Sequence, residues 1–149
     1  MKAAYTFNLV KAVHWPEAAF GDTRKTIHLC VAGNEAIAEA FKGIDGKQVG
    51  ERIVRVSRMS TVNDYEGCQI LFVSKDTDRT SLLSFFAVVK DKPVLIIGES
   101  AGFARIGGLV NFFTKNDKLR FEINPREVER HGLKISSRIL QLATIVESE

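Results

Sequence analysis

CQILFVSKDTDRTSLLSFFAVVKDKPVLIIGES, residues 68–100, is the stretch whose reading decides the fold. CQILFVS (68–74) is apolar on both faces of an extended chain, as a strand in the middle of a sheet must be. The polar residues after it offer Ser74 or Asp76 as a cap for a helix over about 77–89, whose inward face is Leu82, Leu83, Phe85, Phe86 and Val89. KPVLIIGES (92–100) is a further buried strand. Upstream, TIHLCVAG (26–33) is another continuous apolar strand, and Gly33 and Asn34 start a helix through NEAIAEAFKGI. Strand, helix, strand, helix, strand predicts a parallel sheet with right-handed crossovers.

Around this unit the periodicity changes. Ala3, Ala4, Phe7, Val10, Ala12 and Val13 recur at helical spacing, so residues 2–13 read as an amphipathic helix that Trp15 and Pro16 end. Asp45 and Gly46 make a turn, and RIVRVSR (52–58) alternates like a strand with one wet face. After Gly102, GLVNFFTKNDKLRFEIN gives two short strands joined at Lys115, Asn116 and Asp117, a β-hairpin. Asn124 and Pro125 cap a short helix, PREVERHG, which Gly132 closes. LKISSRILQLATIV then reads as the last helix, with Ile135, Ile139, Leu142 and Val146 inward. The expected fold class is α/β: a mixed, mainly parallel central sheet flanked by helices, with a C-terminal β-hairpin and closing helix, in one domain over residues 1–149.

A chain of 149 residues buries a real core without metals or staples. A net charge of +3, with Lys and Arg scattered among acids as in DKLRFEINPREVERH, excludes the concentrated basic stripe of a nucleic-acid binder. No apolar run approaches the roughly 20 residues that span a bilayer, so direct membrane insertion is not expected. Residues 1–14 carry Lys, Tyr, Thr and Asn among apolar residues and read as structure rather than as a secretory leader.

The two cysteines, Cys30 and Cys68, lie in strand-like runs. The residues alone leave two readings open: a pair of small buried thiols, or a disulfide between neighbouring strands. A bridge would close a loop of about 38 residues and stabilise the fold by roughly 4 kcal/mol. No CxxC supports a thioredoxin-like role.

Reaction chemistry is hard to find. GESAGFARIGG follows a buried strand, but it lacks GxGxxG and the GK[ST] of a P-loop, and strand rather than helix follows it. Its glycines, Gly98, Gly102, Gly107 and Gly108, suit turns of positive φ or close backbone approach. His14, His28 and His131 are isolated, without ligand-spaced partners, so no metal site and no catalytic residues are assigned. Trp15, beside His14 and Pro16, is either a lid on the core or an anchor for a partner. Arg105, Lys134 and Arg138 are either solvated charges or contacts for an anionic small molecule, and Glu99 is the acid an enzyme using the glycine loop would need.

Together FNLVKAVHWPEAAF, IHLCVAG, CQILFVS, GFARIGGLVNFF, LRFEIN and GLKISSRILQLATIV resemble, in this order, the YfiR/HmsC-like proteins, over nearly the whole chain. The resemblance implies a non-catalytic periplasmic α/β protein without cofactors. Such a protein represses a membrane-anchored diguanylate cyclase by binding its periplasmic portion, which lowers cyclic di-GMP and biofilm output. It also implies export, with a leader preceding residue 2, and a homodimer. Cys30 and Cys68 match positions where the family can carry a disulfide. A second pair found in some relatives near the GF–GG region has no counterpart between Phe103 and Val110. The alternative expectation is a small-molecule sensor, taking a nucleotide or amino acid near Arg105, Lys134 and Arg138.

Overall fold

The computed structural model describes residues 2–21 and 25–148. Helix α1 (Lys2–Ala12) buries Ala3, Thr6, Leu9 and Val10, a stripe built from one-, three- and four-residue steps. It ends at Ala12 because the next two residues form a short strand, β1 (Val13–His14). The apolar run TIHLCVA is β2 (Thr26–Ala32), and α2 (Glu35–Phe41) follows, capped by the Asn34 side chain on the Ile37 N–H at 3.0 Å. β3 (Gln48–Val49) and β4 (Arg52–Met59) make a tight antiparallel pair.

β5 (Ile70–Val73) is buried at every position, and α3 (Arg79–Val89) and the equally buried β6 (Leu95–Gly98) come next. The cap of α3 is Asp78, whose carboxylate accepts the Ser81 N–H at 3.0 Å. Neither Ser74 nor Asp76 fills that place, because the chain makes one more turn after β5, with the Thr77 N–H on the Ser74 carbonyl. Hydrogen bonds from Ser81 hold the Asp78 carboxyl below its ordinary pKa.

The predicted hairpin is β7 (Val110–Lys115) and β8 (Lys118–Ile123). Asn116 and Asp117 both have positive φ, 53° and 61°, as a two-residue turn matched to strand twist requires. α4 (Pro125–Arg130) follows, with Asn124 as its cap.

The predicted closing helix over 133–146 is not continuous. The chain forms β9 (Lys134–Ile135), then α5 (Ser137–Leu142), then β10 (Thr144–Ile145). Ser136 interrupts the helix by capping α5, and the β-branched residues on either side find strand partners: β9 pairs with β1 and β10 with β8. Val146 is buried and Ile135 and Ile139 are half-buried, but Leu142 is 70% exposed rather than inward.

The main sheet has eight strands in the order β10-β8-β7-β6-β5-β2-β4-β3. The five strands from β4 to β7 are mutually parallel, and β3–β4 and β7–β8 are antiparallel, so the mixed, mainly parallel sheet is as expected. The chain leaves β2 toward β4 and leaves β5 toward β6, in opposite directions along the sheet. Right-handed crossovers then put α2 and α3 on opposite faces. On the α2 face, Phe41 packs on Phe72 at 4.7 Å, Phe72 lies 6.5 Å from Phe112, and Tyr5 of α1 meets Phe112 edge-on at 6.3 Å.

Cys30 of β2 and Cys68, two residues before the neighbouring β5, are disulfide-bonded, with Cα atoms 6.1 Å apart. Next to the bridge, Gln69 joins three segments. Its Oε1 accepts the His28 N–H at 2.7 Å and its Nε2 donates to the Ala19 carbonyl at 2.8 Å. Its own carbonyl accepts the Trp15 indole N–H at 3.1 Å.

Candidate functional site

The glycine loop between β6 and β7 is built around one aromatic ring. Phe103, 1% exposed, lies between Gly98 and Gly108, and a β-carbon at either glycine would overlap the ring. Gly102 and Gly107 take positive φ, 80° and 140°. Gly107 also lets the Phe86 ring approach, since a β-carbon there would stand 3.1 Å from it. The four glycines thus serve positive φ and close approach.

Glu99 closes this end of β6. Its Oε1 accepts the Lys75 N–H at 3.1 Å and its Oε2 pairs with the Lys2 ammonium. The side chain is 3% exposed. This carboxylate joins α1, β6 and the turn after β5, and its oxygens are occupied by that task.

Arg105 leaves the far side of the loop and lines a cleft of about 610 Å³ between α3, the loop and α4. From α3 the cleft takes Arg79, Leu83 and Phe86, and from the residue that caps its C-terminus, Lys90. Sequence reasoning assigned Leu83 and Phe86 to the core. Leu83 is instead 46% exposed and Phe86 half-buried, because the sheet takes only the stripe of Leu82, Phe85 and Val89. The spacing of Arg79, Leu83, Phe86 and Lys90, steps of four, three and four, is the signal that identifies a second stripe.

The third wall is α4. Glu127, 7% exposed, accepts from Arg130 at 3.1 Å and from the Ser148 hydroxyl at 3.3 Å. His131 donates its Nδ1–H to the Lys92 carbonyl at 2.7 Å, which leaves Nε2 facing Glu127 at 3.9 Å. Hydroxyl, carboxylate and imidazole are neighbours, but the carboxylate lies between the other two. The imidazole cannot take the Ser148 proton, so this is not a nucleophile–base pair.

Asn124 ties the cleft to the loop. It is fully buried, and its Nδ2 donates to the Ala104 carbonyl at 2.8 Å and to Ser148 at 2.9 Å, while its Oδ1 caps α4. Asn124→Ala is expected to lower stability by about 2 kcal/mol, from the lost cap and an unpaired Ala104 carbonyl. Denaturant unfolding of the variant checks this. Asn124→Asp, which keeps only the cap, should recover part of the loss.

The remaining candidates are dispersed. Trp15 is 7% exposed, edge-on to Phe20 at 6.4 Å, and lies in the core. Lys134, on β9, lines a separate cleft with Leu133 and Leu140, and exposed Arg138 lines neither that cleft nor the one holding Arg105. Among the described residues no group of three or more His, Cys, Asp or Glu side chains is placed to hold a metal, and no helix is long and apolar enough to cross a membrane.

The sequence profile of YfiR/HmsC-like proteins matches residues 1–144. The chain belongs to the YfiR/HmsC-like family. That family is regulatory and non-catalytic, and it implies a periplasmic role in diguanylate cyclase systems. The Cys30–Cys68 bridge suits an oxidising compartment. No curated protein matches the sequence. Among solved structures, the ABC domain in complex with L-Trp from Streptococcus pneumonia is similar, with a TM-score of 0.54 and 16% identity. The match covers 87% of this chain and 59% of that one, and it shows a shared fold alone. The YfiR/HmsC-like chain spans about three-fifths of that structure's length.

Proposed function

We propose that this protein binds the periplasmic portion of a membrane-anchored diguanylate cyclase and holds the enzyme inactive, lowering cyclic di-GMP and biofilm output. The observation that carries the reading is the family match over residues 1–144. A repressor of this kind works by differential affinity, binding the inactive state of the cyclase more tightly than the active one. The reading includes a homodimer, for which the exposed Leu142 and Ile145 at the β10 edge offer apolar surface.

Calorimetry of the oxidised protein against the periplasmic domain of each membrane-anchored diguanylate cyclase of the same organism tests the reading. Stoichiometric binding is expected, together with a rise in cellular cyclic di-GMP when the regulator is deleted. Absence of both overturns it.

A second reading, a small-molecule sensor, is favoured by a polar crevice of about 450 Å³ that includes residues at the C-terminal ends of β2 and β5. There the strand connections diverge, the usual ligand position in such sheets. Ser74, 2% exposed, lines the crevice. Thermal stabilisation by an amino acid or nucleotide, lost in Ser74→Val, supports this reading, and no stabilisation across the panel removes it.

A further inference from the structure

We infer that the cleft between α3, the glycine loop and α4 is a docking surface for an acidic segment of the partner that carries an apolar anchor residue. This rests on the reading of the protein as a cyclase-binding regulator and names where the cyclase segment sits.

The first observation is the division of α3 into two stripes. Leu82, Phe85 and Val89 are buried against the sheet, which satisfies the helix's need for a core face. Arg79, Leu83, Phe86 and Lys90 form a second ridge that the fold itself does not cover. Leu83, 46% exposed at the middle of that ridge, sits where a polar residue would serve folding equally well. Across the cleft Ile106, half-buried, supplies the opposing apolar wall. Phe86 is held in place from below, packed on Phe103 at 5.2 Å and against Gly107.

The second observation is charge. The cleft is lined by four cationic side chains against two carboxylates, Asp91 and Glu127. Arg130 is held by Glu127 at 3.1 Å, whereas Arg79, Lys90 and Arg105 have no carboxylate partner among the described residues. Three cations outside any ion pair, against the single remaining carboxylate of Asp91, therefore surround an apolar strip, an excess of two charges in a chain whose total charge is only +3.

These features select one kind of occupant. A free small anion would engage the cations and leave Leu83 and Ile106 in water. A nucleic acid needs a longer run of phosphate contacts than three cations supply. An acidic peptide segment with one or two apolar side chains satisfies both strip and rim, and a cleft of about 610 Å³ accommodates a few such side chains. Rim charges of this kind steer association, and the apolar centre holds the complex.

The test measures binding of the periplasmic domains of the organism's membrane-anchored diguanylate cyclases to the oxidised protein at about 50 mM and about 300 mM NaCl. Wild-type affinity should fall with salt. The triple variant Arg79→Glu/Lys90→Glu/Arg105→Glu should bind about 100-fold more weakly and lose most of that salt dependence. Leu83→Ala should weaken binding about 10-fold. Lys115→Glu/Lys118→Glu/Arg120→Glu, on the β7–β8 hairpin, changes the net charge equally and should bind like wild type. Melting curves confirm folding, and Arg79→Gln/Lys90→Gln/Arg105→Gln replaces the reversal if that variant is unfolded. Wild-type binding that survives the cleft substitutions, or that falls equally with the hairpin substitutions, overturns the proposal alone. No wild-type binding overturns the functional reading and the proposal with it.

Discussion

Removal of the Cys30–Cys68 bridge is expected to lower the unfolding free energy by about 4 kcal/mol and the melting temperature by roughly 8–16 °C. The cysteines are 38 residues apart in sequence, and closing that loop in the unfolded chain removes conformations that the reduced chain would regain. The bridge joins β2 to the entry of β5, strands already paired from Leu29 and Ile70 onward, with Cα atoms 6.1 Å apart. The native state therefore needs little change to accept the bond, and the loss falls on the unfolded side. Thiol alkylation of the denatured protein should find no reactive cysteine until reductant is added. Reduced protein and Cys30→Ala/Cys68→Ala should melt at similar, lower temperatures. Two free thiols in protein refolded under oxidising conditions, or equal melting with and without reductant, would contradict this. The effect also has a functional side: stability that depends on the bridge is greatest in an oxidising compartment.

Gly108→Ala should cost about 3 kcal/mol, at the upper end for overpacking a core. The added methyl would overlap the Phe103 ring and lie 2.9 Å from the Phe103 carbonyl oxygen. That ring has nowhere to go, because Gly98 closes its opposite edge and the residue is 1% exposed. The Phe103 carbonyl is also fixed, accepting the Gly108 N–H at 3.0 Å. A fall in melting temperature of roughly 6–12 °C follows for a chain of this size. Gly43→Ala is the control, since nothing lies within 4 Å of a β-carbon there, and it should be neutral or slightly stabilising. Phe103→Leu added to Gly108→Ala should restore part of the loss, a coupling that only direct contact produces. Equal melting of the two glycine variants would show that the clamp is not tight. Because this loop carries Arg105 and Ile106, its rigidity also sets the shape of the proposed docking cleft.

The elements of the fold were legible wherever local chemistry had one solution. ILFV and LIIG are apolar on both sides and became β5 and β6 in the middle of the sheet. Asn116 and Asp117 tolerate positive φ and became the hairpin turn, and Asn124 before Pro125 became the cap of α4. Reading failed where two local solutions were close in energy. LKISSRILQLATIV has helical periodicity, yet its Ile and Thr residues also suit strands, and the free edges of β1 and β8 decided in favour of two short pairings.

The site was less legible than the fold. Arg105 stands out as a cation in a glycine loop, but Arg79 and Lys90 look like ordinary helix-surface charges until α3 is laid on the sheet. Leu83 and Phe86 look like core until Leu82, Phe85 and Val89 are seen to fill the available face. By itself the sequence determined the class of fold, the positions of the longer strands and of the hairpin turn, and family membership, because each is written in the patterning of neighbours a few residues apart. The tertiary structure alone decided that the cysteines meet, that Trp15 is buried against Gln69, and that Arg79, Leu83, Phe86, Lys90 and Arg105 share one cleft. Those facts depend on which segments become neighbours once the sheet is ordered, and no local propensity encodes that order.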